Sequence, residues 1–269
     1  MSYQQPADVP PSQGYQGMPP APRPPGGYPP PPGFPAHPAP QYSGGYPPPT
    51  AAWGQVPPRP VASGLGTASL VLAALVALVV VVQFLVSVPA VSTLQALVAG
   101  EQVSTGVLDA YDNLSTLVVV LEIAAAVVTI VWLWKSRTFA ETVSPGWPHA
   151  RSRVWVWLGW FVPVVAFWFP YQVVRDVRAA TLRVQGQGPG GWWAAWLAFG
   201  FATNASARLL GSDNPDVWVA LPVFDGVAAA AVVVAALLWA KIVREVSAGQ
   251  RAATDGVPAP LQVPAPGWS

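Results

Sequence analysis

The stretch VWVWLGWFVPVVAFWFPYQVV, residues 154–174, decides how this chain is read. Its 21 uncharged residues would, at about 1.5 Å each along a helix, reach across a hydrocarbon core of about 30 Å. Yet Pro163 and Pro170 each remove a helical hydrogen bond, and Gly159 adds a pliant point. Trp155, Trp157, Trp160, Trp168 and Tyr171 crowd the segment with rings that favour the headgroup level. Two readings compete. One is a kinked span with an aromatic belt at each end. The other is a segment that enters and leaves by the same face, bent near Pro163. Irregular backbone at membrane depth is tolerated where protein or water covers it, so the second reading is physically open.

The flanking sequence decides between them. Four more apolar runs surround the segment: Leu65–Val88, ending at Pro89; Ser115–Trp134, with Glu122 as its one charge; Gly191–Leu210, with Arg208; and Val217–Ala240, with Asp225. Several such runs in one chain argue for spanning helices rather than buried core helices, because in lipid every backbone polar group must be satisfied within its own segment. Lys and Arg mark the cytoplasmic side. If all five runs crossed, the basic residues would divide almost evenly between the faces. If 154–174 does not cross, every Lys and Arg except Arg208 falls on one face, and the opposite loops hold only Glu101, Asp109, Asp112, Asp213 and Asp216. The expected fold is therefore an all-α membrane protein: four transmembrane helices plus one Trp/Pro-rich re-entrant or interfacial helical segment, multi-pass in the plasma membrane, with both termini cytoplasmic.

Composition supports a divided chain. Of 269 residues, 52% are hydrophobic and only 9% charged, yet there are 33 prolines and 24 glycines. An ordinary soluble domain carries about 25% charged residues and could not cover this much apolar surface. Residues 1–62 hold 21 of the prolines and five of the seven tyrosines, in repeats such as GGYPPPP at 26–32 and GGYPPP at 44–49. Such text samples polyproline II and coil. The expected organisation is a disordered cytoplasmic tail at 1–62, a helical membrane domain at 63–247 and a disordered C-terminal tail at 248–269. The N-terminal tail serves as a spacer or as a binding arm for unidentified protein partners. It has neither the basic start nor the early apolar run of a signal peptide. The net charge of +1 gives no bulk attraction to nucleic acid, and the oligomeric state is open.

Catalytic, cofactor-binding and metal-ligating sets are not expected. The chain has no cysteine, and His37 and His149 are its only histidines, each read as solvated. The glycines at 186–191 precede an apolar run but follow no strand and lack a lysine, which reads as a linker rather than a phosphate loop. Two polar groups remain as candidates. Arg151, Arg153, Arg175, Arg178 and Arg183 form a juxtamembrane basic set that fixes topology and could hold anionic headgroups of the bilayer. Glu122, Arg208 and Asp225 are the only charges inside the four spanning runs, all toward the acidic face. Pairing would offset a cost of roughly 2.5–3.5 kcal/mol for an isolated charge at a helix centre, so a cluster with Arg208 between the acids is expected. Its competitors are an Asp225 in the first helical turn after Pro222 and an Arg208 reaching to water.

The region 151–177 also resembles the core of the DUF4328 family. The resemblance rests on Gly159-Trp160-Phe161 with Pro163, on Trp168 with Pro170 and Tyr171, on Arg175, and on the later pair Trp192-Trp193. It extends over about residues 65–245, and Ala166 stands where the family often has Asn. It implies an actinobacterial multi-pass membrane protein with a proline-rich tail, and no reaction or cofactor. Three functional classes follow in order. The first is an accessory or scaffolding protein whose tail recruits partners. The second is a small transporter or channel using the broken segment and the intramembrane charges, although no inverted repeat is visible. The third is a membrane enzyme acting on lipid, for which no His, Asp and Glu cluster is offered; the chain is expected not to be an enzyme.

Overall fold

A computed structural model describes Val61, residues 63–184, Gly186 and residues 188–256. All fall within the second of the chain's two units, 55–269. The tails expected at 1–62 and 248–269 lie outside the described residues, except at their inner edges.

Helix is the only regular structure among the described residues. The order is α1 (Ser63–Val98), α2 (Gly106–Val143), α3 (Trp155–Leu158), α4 (Phe169–Leu182), α5 (Gly190–Leu210) and α6 (Leu221–Thr254). Short 3-10 turns lie at Val165–Phe167 and Pro215–Ala220. Three of the helices are long and apolar enough to cross a membrane: Gly64–Val98, Gly106–Val143 and the α6 helix with the turn before it, Pro215–Thr254. With its 21 residues, α5 reaches about 31 Å, but Thr203, Asn204, Ser206 and Arg208 make it less apolar.

Two expected boundaries move. The first run was expected to end at Pro89, but α1 continues through it to Val98. Ser87 donates to the Phe84 carbonyl at 2.7 Å, one turn before the proline. Pro89 removes only the hydrogen bond to the Leu85 carbonyl, and the rest of the long helix carries the chain through it. At the other end, α6 runs to Thr254, past the expected boundary at 247. Its last turns bury Val246 and Gln250, and Gly249 meets α4 so closely that a Cβ there would stand 2.7 Å from Leu182 Cδ2.

The long helices pack antiparallel in the spatial order α2–α1–α6–α5. Ser69 meets Thr129 at 3.0 Å and Gln83 meets Ser115 at 3.1 Å, which fixes α1 against α2. Trp239 Nε1 donates to Ser69 Oγ at 2.8 Å, while Phe84 touches Gly226, which fixes α6 against α1. Trp192 stacks near Trp239 at 5.1 Å, and Ser206 donates to Asp225 at 2.7 Å, which fixes α5 against α6. The start of α1, the end of α2, the start of α5 and the end of α6 therefore share one end of the bundle. The arc does not close, because α2 and α5 share no packed face.

Residues 154–174 fold as a hairpin at that shared end. α3 is a single turn, the chain reverses at Pro163 and Val164, and α4 begins at Phe169 with Pro170 in its first turn, where a missing N–H costs nothing. The two arms meet: Arg151 donates to Gln172 at 2.7 Å, its guanidinium lies 3.9 Å over the Phe169 ring, and Trp155 packs edge-on against Phe169 at 4.6 Å. The reversal is a γ-turn. Val164 has φ 69° and ψ −58°, and the Val165 N–H reaches the Pro163 carbonyl at 2.8 Å. A β-branched residue in this region is strained by about 1–3 kcal/mol. Its side chain is exposed and adds little packing. Val164→Gly is therefore expected to raise the thermal unfolding midpoint in detergent, with a net gain of about 1 kcal/mol once the added freedom of the unfolded chain is subtracted. A lowered midpoint would contradict the turn.

Candidate functional site

The hairpin places its aromatic residues against the bundle. Trp160 packs edge-on to Trp193 at 6.2 Å, and the series continues through Trp192 and Trp239 to Trp132. Trp193 Nε1 donates to the Phe167 carbonyl at 2.7 Å, taking up a backbone acceptor that the broken helix leaves free. Phe167 stacks on Phe201 at 6.0 Å. Phe201 is eleven residues into α5, so the hairpin reaches about 16 Å along it. Pro163 lies at the exposed tip, Pro170 is buried, Trp168 is exposed beside Phe169, and Tyr171 lies 6.0 Å from the Arg175 guanidinium.

Between α2 and α5 the open arc leaves a cleft of about 300 Å³, floored by α1 and α6 and bordered by Trp160 of the hairpin. Trp192, Trp196 and Trp239 line it, and Glu122 is its only ionisable residue. Glu122 has no hydrogen-bond or ion-pair partner among the described residues. Ile123, also in the lining, is 61% exposed.

The expected cluster of Glu122, Arg208 and Asp225 does not form as ion pairs. Asp225 is buried and accepts from Tyr111 Oη at 2.9 Å and from Ser206 Oγ at 2.7 Å. Two neutral hydroxyls satisfy a carboxylate here without the desolvation of a second charge. Arg208 is exposed and lines a separate groove with Phe167 and Phe201. Sequence reading missed Tyr111 and Ser206. The signal was present, since α5 runs antiparallel to both α2 and α6, which brings these residues to similar depth once their register is known.

The juxtamembrane arginines are all engaged within the protein. Arg153 Nε donates to Glu141 at 2.6 Å, and Arg137, 3% exposed in total, reaches Glu141 from the other side at 2.7 Å. Arg137 also holds the Arg151 carbonyl at 3.1 Å. Arg175 binds Asp176 at 2.9 Å, Arg178 binds Glu245 at 2.6 Å, and Arg183 donates to the Val143 carbonyl at 2.8 Å. The set ties α2, α4 and α6 into a collar. His149, expected to be solvated, sits inside it: both ring nitrogens are shielded and unpartnered. Its shielding and the nearby Arg137 guanidinium hold the imidazole below its ordinary pKa, opposed by Asp176 and Glu141. Among the described residues no group of His, Asp or Glu converges as metal ligands.

Long apolar antiparallel helices with a polar collar at one end define the class: an all-helical membrane protein. The chain belongs to the family described as "Domain of unknown function (DUF4328)", whose model matches residues 100–248 and so includes the hairpin, the collar and most of the cleft. No curated protein and no solved structure matches.

Two predictions follow from these contacts. Tyr111→Phe leaves one Asp225 oxygen without its donor and should cost about 1–3 kcal/mol in a detergent unfolding titration, while Arg208→Ala should stay within about 0.5 kcal/mol. The reverse order would mean that Arg208 is the partner of the buried acids. For His149 the folded pKa is depressed, so as pH falls through about 6.5 the unfolded chain takes up a proton before the folded chain does. Stability should then fall from pH 7.5 to pH 5.5, and His149→Gln should make that fall shallower. Parallel slopes for the two proteins would show that His149 has no part in it.

Proposed function

We propose that the chain is a four-span integral protein of the plasma membrane, with α5 as the fourth span and both termini cytoplasmic, and that it acts as an accessory or scaffolding protein rather than as a catalyst. The observation that carries the reading is the closed hairpin. Its arms meet at Arg151, Gln172 and Phe169, so the segments before and after it leave from the same end of the bundle. With 154–174 returning to its own face, four crossings bring the chain ends together, and the collar arginines become a cytoplasmic set.

The scaffolding part is supported by how the polar groups are used. Ser69 with Thr129, Gln83 with Ser115, and Asp225 with Tyr111 and Ser206 bind one helix to the next. The collar ties α4 to α2 and α6, giving a static platform from which the proline-rich tail would recruit partner proteins. The partly exposed Arg153 and Arg175 remain positioned for anionic headgroups. A second reading, a small transporter, draws on the cleft and the hairpin beside it.

Single cysteines test the topology, because the chain has none of its own. Introduced at Thr105 or Asp213, a cysteine should react with an impermeant maleimide in intact cells. At Gly186 or Ala248 it should react only after the membrane is opened. Labelling of Gly186 and Ala248 from outside would establish five crossings and end the four-span reading.

A further inference from the structure

We propose that the cleft between α2 and α5 is a binding site for a lipophilic organic cation, with Glu122 as its counter-charge and the tryptophans as its walls. The proposal goes beyond the scaffolding reading and is independent of what the tail binds. Three observations carry it. The first is shape. The cleft holds about 300 Å³, at the lower end of the roughly 300–1,000 Å³ of small-molecule sites. It exists because α2 and α5 share no packed face, and the exposed Ile123 in its lining leaves it open to molecules dissolved in the bilayer.

The second is charge. The ion-paired acids among the described residues, Glu141, Asp176 and Glu245, each have an arginine or lysine. Buried Asp225 has two hydroxyl donors. Glu122 lines the cleft with neither. A lone carboxylate at membrane depth is costly, and a cation seated beside it would offset that cost far more than the same pair would in water. The protein's own candidate, Arg208, lines a different groove. The third is the lining. Trp160, Trp192, Trp196 and Trp239 share the cleft with Glu122. Indole is the best of the aromatic faces for a cation, and desolvation strengthens the attraction. Small residues such as Ala73 and Ala236 make up part of the remaining surface and leave room for an apolar body. An apolar ligand without charge would match the walls and leave Glu122 unpaired; an anion would be repelled by it.

The test is equilibrium binding of radiolabelled tetraphenylphosphonium to the full chain in lipid nanodiscs, with empty nanodiscs subtracted. Saturable binding is expected, displaced by unlabelled tetraphenylphosphonium and not by the same concentration of uncharged triphenylphosphine oxide. Glu122→Gln should weaken the affinity at least tenfold, and Trp196→Leu should weaken it severalfold. Arg208→Ala, outside the cleft, should leave it unchanged. The discrimination between charged and uncharged probe needs no variant, so it decides the matter even if Glu122→Gln does not fold. The proposal is overturned by absence of saturable binding, by equal displacement with the uncharged probe, or by an unchanged affinity in a folded Glu122→Gln protein.

Discussion

Everything in this molecule depends on the clasp between the two arms of the tryptophan-rich hairpin. A segment with two prolines cannot run as one unbroken helix, and the protein resolves this by turning the segment back on itself. Arg151 supplies both parts of the clasp: a hydrogen bond to Gln172 and a cation seated on the Phe169 ring. Trp193 takes up the Phe167 carbonyl, and Pro170 falls where helix starts tolerate it. The strain at Val164 is then held by contacts on both sides of the turn. Because the arms return to one end, the helices on either side of the hairpin begin and end together, and the alternating packing of the bundle follows.

The collar shows why the arginines cluster where they do. Basic residues beside a membrane are usually read as topology markers alone. Here they do structural service, since α4 is held by Arg178 on Glu245 of α6 and by Arg183 on the last carbonyl of α2. The buried Arg137 is the centre of that set, with Glu141 on one side and the Arg151 backbone on the other. The same side chain thus supports the residue that closes the hairpin. His149 is the misfit, with two shielded nitrogens and no partner, and its burial beside Arg137 favours the neutral imidazole.

Much of this was written in the sequence. Apolar length marked the helices, and proline with tryptophan marked the hairpin and placed its bend at Pro163. Charge asymmetry argued that the hairpin returns. What escaped was tertiary. Composition could not show that α1 continues past Pro89, because a long helix can absorb the loss of one hydrogen bond. Depth arithmetic put Glu122, Arg208 and Asp225 at similar levels, but depth does not say which way a side chain faces. Arg208 stands on the outer surface of α5, while Ser206, two residues earlier, points to Asp225. The partners of a buried charge were hydroxyls, which leave no mark in a charge count.

The cleft is the consequence of these choices taken together. Three helix pairs in the arc are sealed by specific devices: paired hydroxyls and amides between α1 and α2, an indole on a serine between α1 and α6, and a buried carboxylate between α5 and α6. The fourth edge, between α2 and α5, has none. Four long helices with one short hairpin could have closed into a bundle, had α2 offered a complementary face. Instead α2 presents Glu122 and Ile123 there, and the hairpin inserts Trp160 beside the gap rather than into it. A gap that is merely unfilled costs dispersion energy along its whole lining. One bordered by four indoles and a partnerless carboxylate costs more, because the charge is stranded as well. That carboxylate, beside the exposed Ile123 at the open edge, marks the place a cation would fill.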